Sequence, residues 1–243
     1  MYLELRIVTC ACMLAIASIL DIKSREIPDK VWLAFGGIGL AITLLALTDP
    51  LAQPVIADKT SYIAHYALGV GLVAVIGYAV YKAGLFGGAD PKALVAIALT
   101  LPALEAGYKL YDFPALTSLT NALLISLSGM FYNIARNSIS VARGIPIFEG
   151  MAESSVRKAL AFAVGFSSPS TSSGKYLFAM EERDNSGQRK FVFNPAQYNE
   201  FTPNSGKRMW MTQALPFIVY IAIGFATMLL VGDLLALIFS VFL

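Results

Sequence analysis

The chain alternates long apolar runs with short polar connections, and six of these runs predict helices. Each approaches the roughly 20 residues that a helix needs to cross the apolar core of a bilayer. The connection between the fifth and sixth runs is far longer than the others. The predicted helices are Met1–Asp21, Val31–Leu47, Ser61–Tyr81, Pro91 to about Tyr108, Pro114–Tyr132 and Trp210–Val231.

The composition supports a membrane protein. Of the 243 residues, 57% are hydrophobic and only 14% are charged, whereas a soluble domain carries about 25% charged residues. We therefore predict an α-helical multi-pass membrane protein with six transmembrane helices and a small cytoplasmic α+β insertion. Its predicted parts are residues 1–135 with helices one to five, the insertion 136–208, and residues 209–243 with the sixth helix and a tail.

The first apolar run is interpreted as a retained helix rather than a signal peptide. Its start is not basic, because Glu4 offsets Arg6, and further spans follow. With the N-terminus outside, fifteen of the eighteen lysines and arginines fall on the inner side and three on the outer side. This asymmetry indicates that the insertion faces the cytoplasm.

Within the insertion, the pattern predicts one short amphipathic helix and one hairpin. The helix lies in "AESSVRKALAFAVGF". The hairpin strands are Lys175–Glu181 and Arg189–Phe193, and the turn between them is expected at Asp184–Gly187.

The scarcity of histidine and cysteine excludes several chemistries. His65 is the only histidine, so a zinc protease with two histidine ligands is excluded and a serine protease is disfavoured. Cys10 and Cys12 lie two residues apart on different faces of one helix, which suits neither a disulfide nor a metal site. We expect no metal and no cofactor.

Two carboxylates stand at the inner ends of apolar runs. Asp21 ends the first run and Asp90 precedes the fourth. Each has a purely structural interpretation: Asp21 as a boundary residue paired with Lys23 or Arg25, and Asp90 as the N-cap of a helix that starts at Pro91.

The short fourth run favours a functional role for Asp90. The 12 residues from Ala93 to Leu104 make about 18 Å of helix, so "GLFGGAD" must itself reach into the membrane. Irregular backbone at that depth is tolerated only inside protein or beside a wet cavity. Ionisable groups at that depth are usually functional.

Three segments carry a family resemblance: "DIKSREIPDKVW", "GLFGGADPKAL" and "MTQALPFIVYIAIG". Together they resemble the type IV prepilin and preflagellin (archaellin) peptidases, which are membrane aspartyl proteases of the Gly-x-Gly-Asp group, and the likeness is greatest to the archaeal branch. The resemblance implies that Asp21 and Asp90 form the catalytic pair. It also matches Leu215-Pro216-Phe217 to the proline-containing start of the last helix.

The second motif departs from the family at one position. Gly87, Gly88 and Ala89 precede Asp90, where the family has glycine immediately before the aspartate. Alanine resists positive φ, so the departure bears on the geometry of the turn. The cysteine-bearing cytoplasmic segment of the bacterial members is absent from the sequence, and we predict no methyl transfer.

The resemblance implies partners as well as chemistry. The substrates would be pilin-like or archaellin precursors, each with a short charged leader, a small residue at the cut and an apolar helix. Glu26, Asp29, Glu149 and Pro216 are the candidates for contacting them. The lipid bilayer is the expected surroundings of a cell-membrane protein. We expect no nucleic-acid partner and leave the oligomeric state open.

Two other classes of function remain open from the sequence. A cation-coupled transporter or channel would suit the intramembrane aspartates and the polar residues of the fifth run (Thr117, Ser118, Thr120, Asn121, Ser126 and Ser128). Those residues do not share one face, and no inverted repeat is visible. A non-catalytic assembly partner is the third possibility.

Overall fold

The computed structural model describes residues 2–49, 58–103, 112–169, 176–183, 188–193, 199–200, 208–213 and 216–242. The helices are α1 (Tyr2–Ser24), α2 (Asp29–Thr48), α3 (Lys59–Lys82), α4 (Ala89–Thr100), α5 (Pro114–Ala142), α6 (Ser155–Val164), α7 (Phe217–Leu230) and α8 (Leu234–Phe242). The strands are β1 (Phe166–Pro169), β2 (Leu177–Ala179), β3 (Glu181–Arg183), β4 (Arg189–Phe191), β5 (Asn199–Glu200) and β6 (Arg208–Gln213). The chain forms two compact units, one of Met1–Ile125 with Pro216–Leu243 and one of Ser126–Leu215.

The described helices include fewer candidate membrane spans than the six predicted. Four of them, α1, α2, α3 and α5, are long and apolar enough to cross a membrane. The pair α7 and α8, bent by 55° at its break, brings the number to five if it counts as one span. The protein is therefore mostly helical with four to five candidate spans and a small sheet region.

The predicted fourth helix, Pro91 to about Tyr108, is shorter in the structure. It begins at Ala89 and ends after 12 residues at Thr100. Leu101 has φ −126° and ψ 84°, because a residue that precedes a proline, here Pro102, is disfavoured in the helical conformation. Residues 104–111 of the predicted helix lie outside the described part of the chain.

The predicted start of the sixth helix at Trp210 is wrong. Residues Arg208–Gln213 form β6, and α7 begins only at Phe217, directly after Pro216. Trp210 is fully buried in the core of the second unit, where its Nε1 donates to the carbonyl of Ile147 at 2.9 Å. Its apolar character therefore serves a protein interior rather than contact with lipid.

The core of the first unit lies where α1, α4 and α7 meet. The buried residues include Met13 and Leu14 of α1, Leu94 and Ile97 of α4, and Ile221 of α7. Large apolar side chains on the outer faces of α1, α2 and α3 are exposed. Such extensive apolar exposure suits helices that face lipid, whereas most of the short α4 is enclosed by its neighbours.

Glycines bring other helices close to α4. A Cβ added to Gly39 of α2 would lie only 2.6 Å from the Cα of Thr100. A Cβ added to Gly77 of α3 would lie 2.9 Å from the Cβ of Pro91. Small residues at these positions let backbones approach closely, as at many helix interfaces in membranes.

In the second unit, the sheet of four strands has the order β1-β6-β2-β5 and all its pairings are antiparallel. The amphipathic helix predicted from the sequence is confirmed as α6, and the hydroxyl of Ser154 accepts from the N–H of Arg157 at its N-terminus. Met180, Phe191 and Trp210 are buried in the core of this unit.

The predicted strand Lys175–Glu181 is divided in the structure. Its middle forms β2, which pairs with β5 and β6, whereas Glu181 opens β3, which pairs with β4. The division falls at Met180, whose side chain is buried and whose N–H donates to the carbonyl of Trp210 at 2.9 Å. The antiparallel pairing of β3 with β4 confirms a hairpin, while the predicted turn Asp184–Gly187 lies outside the described residues.

Two alanine substitutions in α2 test the close contact with α4. Gly39→Ala should lower the stability by about 1–3 kcal/mol through overpacking against the Thr100 backbone. Gly37→Ala on the same helix meets no atom within 4 Å, and it should raise stability by up to about 1 kcal/mol through helix propensity. Thermal unfolding in detergent measures both, and equal melting temperatures for the two variants would contradict the contact.

Candidate active site

Asp21 lies in the last two turns of α1 and is buried although the helix ends only a turn later. The Asp21 residue is only 9% exposed. The chain leaves the helix at Arg25, whose N–H donates to the carbonyl of Asp21 at 3.2 Å and whose φ is +59°. This left-handed conformation is unfavourable for a residue with a side chain. It accompanies a guanidinium that lies 3.8 Å from Oδ1 of Asp21.

The N-terminus of α7 adds a second positive group beside Asp21. Pro216 is the N-cap residue of α7, and the backbone N–H of Ile218 interacts with the Asp21 carboxylate. The first N–H groups of a helix have no partners within the helix and favour negative charge. The proline-containing start of α7 therefore holds the Asp21 side chain at the helix terminus.

Asp90 is not the N-cap that the sequence suggested. The helix begins at Ala89, and Gly88 occupies the cap position without a side-chain hydrogen bond. Asp90 is the second helical residue, and its Oδ2 accepts from the N–H of Gly87 at 2.8 Å. The carboxyl thus reaches back to close the turn before α4, and the residue is only 6% exposed.

The alanine at position 89 fits the observed turn. Gly87, Gly88 and Ala89 are not among the described residues with positive φ, and Gly88 has φ −66°. The glycine that does need positive φ is Gly84, at φ +71°, which follows the C-cap residue Ala83 of α3. Alanine therefore meets no backbone conflict at 89, and its methyl group packs against the core of the first unit.

The helices that carry the two carboxyls, α1 and α4, are in contact, and both also contact α7. The Asp21 and Asp90 carboxyls are close enough for the charge of one to act on the other. Nearby, the rings of Phe86, before α4, and Phe217, on α7, have their centroids 4.9 Å apart. The interaction between the charges opposes simultaneous ionisation of the two buried carboxyls.

The other candidate residues are placed less centrally. Glu26 and Asp29 are exposed, and Asp29 forms an ion pair with Lys92 at 2.6 Å. Both partners line a cavity of about 590 Å³ between α2, α3 and α4, beside the face of α4 opposite to Asp90. Pro216 is half-buried at the start of α7, whereas Glu149 is exposed in the second unit. Leu215 lies outside the described residues.

The structure also adds groups that the sequence did not identify as part of the site. The N–H groups of Ile218 and Gly87 have no signal in the sequence, because every residue except proline carries one. The Phe86–Phe217 contact joins segments that are distant in the sequence, so the sequence gives no signal for it either. Within the described residues, no three His, Cys, Asp or Glu side chains cluster as a metal site would require.

Comparisons with known proteins identify the class. The family model of the type IV leader peptidases matches residues 8–134, which include both Asp21 and Asp90. The chain belongs to the type IV leader peptidase family.

Individual relatives within this family are the preflagellin peptidases of methanogens. The chain is 24% identical over 241 residues to the preflagellin peptidase of Methanocaldococcus jannaschii, covering 94% of this chain and 95% of that one. It is 24% identical over 234 residues to that of Methanococcus maripaludis, with coverages of 90% and 92%. A shorter match to that of Methanococcus voltae has 36% identity over 107 residues, covering 44% of this chain and 39% of the relative.

Substitutions at Arg25 separate its backbone strain from its charge. Arg25→Gly should raise stability by about 1 kcal/mol, because glycine accepts the left-handed conformation without a Cβ clash. It should also slow leader-peptide cleavage roughly tenfold, equivalent to about 1.4 kcal/mol of lost stabilisation at Asp21. Arg25→Lys, which keeps both the charge and the strain, is the control and should stay near the parent in both measurements. An Arg25→Gly variant with full activity would contradict a role for the guanidinium.

Proposed function

We propose that the protein is an aspartic endopeptidase that removes the short charged leader from archaellin or pilin-like precursors. The observation that carries the proposal is the approach of two buried carboxyls, Asp21 and Asp90, from different helices. The family supports peptidase activity, and the names of the methanogen relatives support preflagellin as the substrate class.

The chemistry follows from one proton shared by two carboxyls. The ionised carboxyl acts as a general base and takes a proton from an attacking water. The protonated carboxyl polarises the scissile carbonyl and then donates a proton to the leaving amine. The titration belongs to the pair, so neither residue has a fixed role in the resting enzyme.

The surroundings of the pair support unequal protonation without selecting one residue. Arg25 and the N–H of Ile218 stabilise charge on Asp21, while the N–H of Gly87 stabilises charge on Asp90. Burial of both groups opposes two simultaneous charges. The favoured state of the site therefore carries one negative charge, which the donors beside Asp21 and the donor beside Asp90 can both stabilise.

The proposed topology places the site at the cytoplasmic face. It has six crossings, and α4 with the residues after it is the fourth. The N-terminus lies outside. Residues 136–208 form a cytoplasmic insertion that helps to bind precursors. The basic residues support it, since fifteen lie on the proposed inner side and three on the outer side. A site at this boundary suits a precursor whose leader is in water and whose following helix is in lipid.

The side chains of α5 do not favour the transport alternative. Ser118 donates to the carbonyl of Pro114 in its own helix. Asn121 donates to the carbonyls of Gly224 and Gly232 and accepts from the N–H of Leu234. These polar groups therefore hold the α7–α8 corner in place rather than lining a path for a cation.

Asparagine substitutions test the catalytic pair. Asp21→Asn and Asp90→Asn should each lower precursor cleavage by roughly a hundredfold or more, because neither a base nor an acid can be spared. The amide oxygen at position 90 can still accept from the Gly87 N–H, so the fold should persist. Asp58→Asn, which removes an exposed carboxylate at the start of α3 and keeps a side-chain oxygen that can cap the helix, is the control and should cleave normally. Purified protein with near-normal turnover in either pair variant would rule out the mechanism.

Two substitutions of Ala89 test the packing beside Asp90. Ala89→Gly should be tolerated, because glycine adopts every backbone conformation that alanine does. Ala89→Leu should lose most activity, since the added bulk must displace core side chains that pack against this methyl group. Cleavage is measured on variants with matching thermal melts, and an active Ala89→Leu variant would show that the turn tolerates displacement.

A further inference from the structure

At the end of α1 remote from Asp21, an arginine is buried among helices. Arg6 is only 5% exposed. Its Nη1 donates to the hydroxyl of Thr43 at 2.9 Å and to the carbonyl of Thr100 at 2.7 Å, and its Nη2 donates to the Tyr62 hydroxyl at 3.3 Å. A charged side chain inside an apolar helix bundle is costly and is retained where it performs a task.

The task visible in the structure is to terminate α4. The last carbonyls of a helix have no partners within the helix, and no water is available to them in the apolar part of a membrane. Arg6 satisfies the carbonyl of Thr100, and the hydroxyl of Tyr66 donates to the carbonyl of Leu99 at 3.0 Å. A positive charge at this terminus also complements the helix dipole.

The same two helices meet again at the catalytic carboxyls. Arg6 and Asp21 lie 15 residues apart on α1, about 22 Å along its axis, and Asp90 and Thr100 lie 10 residues apart on α4, about 15 Å. The helices run antiparallel, because Arg6 joins the C-terminus of α4 while Asp21 approaches its N-terminus. The long arginine side chain bridges the difference in length.

We propose that Arg6 is a positioning residue for the peptidase reaction and sets the axial position of α4, and with it the placement of Asp90 relative to Asp21. Thr43 takes part by orienting the guanidinium, and its own hydroxyl donates to the carbonyl of Gly39. The inference rests on the proposed function for its catalytic consequence, whereas the hold on α4 stands on the contacts alone. A misplacement of about 1 Å is enough to slow an enzyme roughly a hundredfold.

The kinetic test uses the full chain and a precursor substrate. Arg6→Met keeps an unbranched apolar stem but no donor, and it should lower kcat by roughly tenfold to a hundredfold while KM stays within about threefold. Arg6→Lys keeps a charged donor and should recover most of the loss. Thr43→Val should give an intermediate kcat. Thr48→Val is the matched control on the same helix, because the Thr48 hydroxyl donates only within α2, and it should match the parent.

A distance measurement separates positioning from a general loss of stability. Spin labels at Ile22→Cys and Lys92→Cys, both exposed positions, report on α1 and α4 directly. The exposed Cys12 is replaced by alanine and the buried Cys10 is kept. The label distance should shift or broaden in Arg6→Met and in Thr43→Val, and return to the parental value in Arg6→Lys. If Arg6 only stabilised the fold, its substitution would lower the melting temperature and leave both kcat and the label distance unchanged.

The outcomes are distinguishable from failure of the proposed function. If Arg6→Met folds and keeps the parental kcat and the parental label distance, the inference is overturned. If Arg6→Met does not fold, the same result in Thr43→Val overturns it. If the parental chain cleaves no precursor, the proposed function fails. The label distances, measured without substrate, then still decide whether Arg6 holds α4, and an unchanged distance would overturn that hold.

Discussion

The arrangement of the first unit depends on the need to satisfy the polar ends of a helix that is too short to reach water on both sides. The 12 residues of α4 span about 18 Å, against roughly 30 Å of apolar bilayer. Its N-terminal turn is closed by Asp90 and its C-terminal carbonyls are bound by Arg6 and Tyr66. Its sides pack closely against α2 at Gly39 and against α3 at Gly77. The residue proposed for catalysis thus also closes the N-terminal turn of this short helix.

The apolar pattern predicted the bounds of α2 and α3 well, but it ended the fifth helix ten residues too early, at Tyr132 instead of Ala142. The bounds of α2 and α3 lie within two residues of those predicted, since charged residues stand near both ends of each run. The sixth helix was misplaced because Trp210 and Met211 are as apolar as a membrane span, although both are buried in a sheet. Hydropathy alone cannot distinguish these two environments, and Pro216 was the better marker of the helix start.

The candidate site was predictable as residues but not as geometry. Asp21 and Asp90 were identified because they adjoin apolar runs at the predicted inner boundary, and a family resemblance joined them. The donors around them are mostly backbone N–H groups, those of Gly87 and Ile218, which carry no residue-specific signal. Arg6 was counted only as an outer-side charge, because its main acceptor is the carbonyl of Thr100, 94 positions away along the chain.

Three helix termini converge on the carboxyls, and their dipoles do not cancel. The N-termini of α4 and α7 present partial positive charge, while the C-terminus of α1 presents partial negative charge. Arg25 adds a full positive charge beside Asp21. The resulting potential is positive in the absence of the carboxyls, so it favours negative charge on them. In electrostatic terms, the scaffold stabilises negative charge at this position before any substrate arrives.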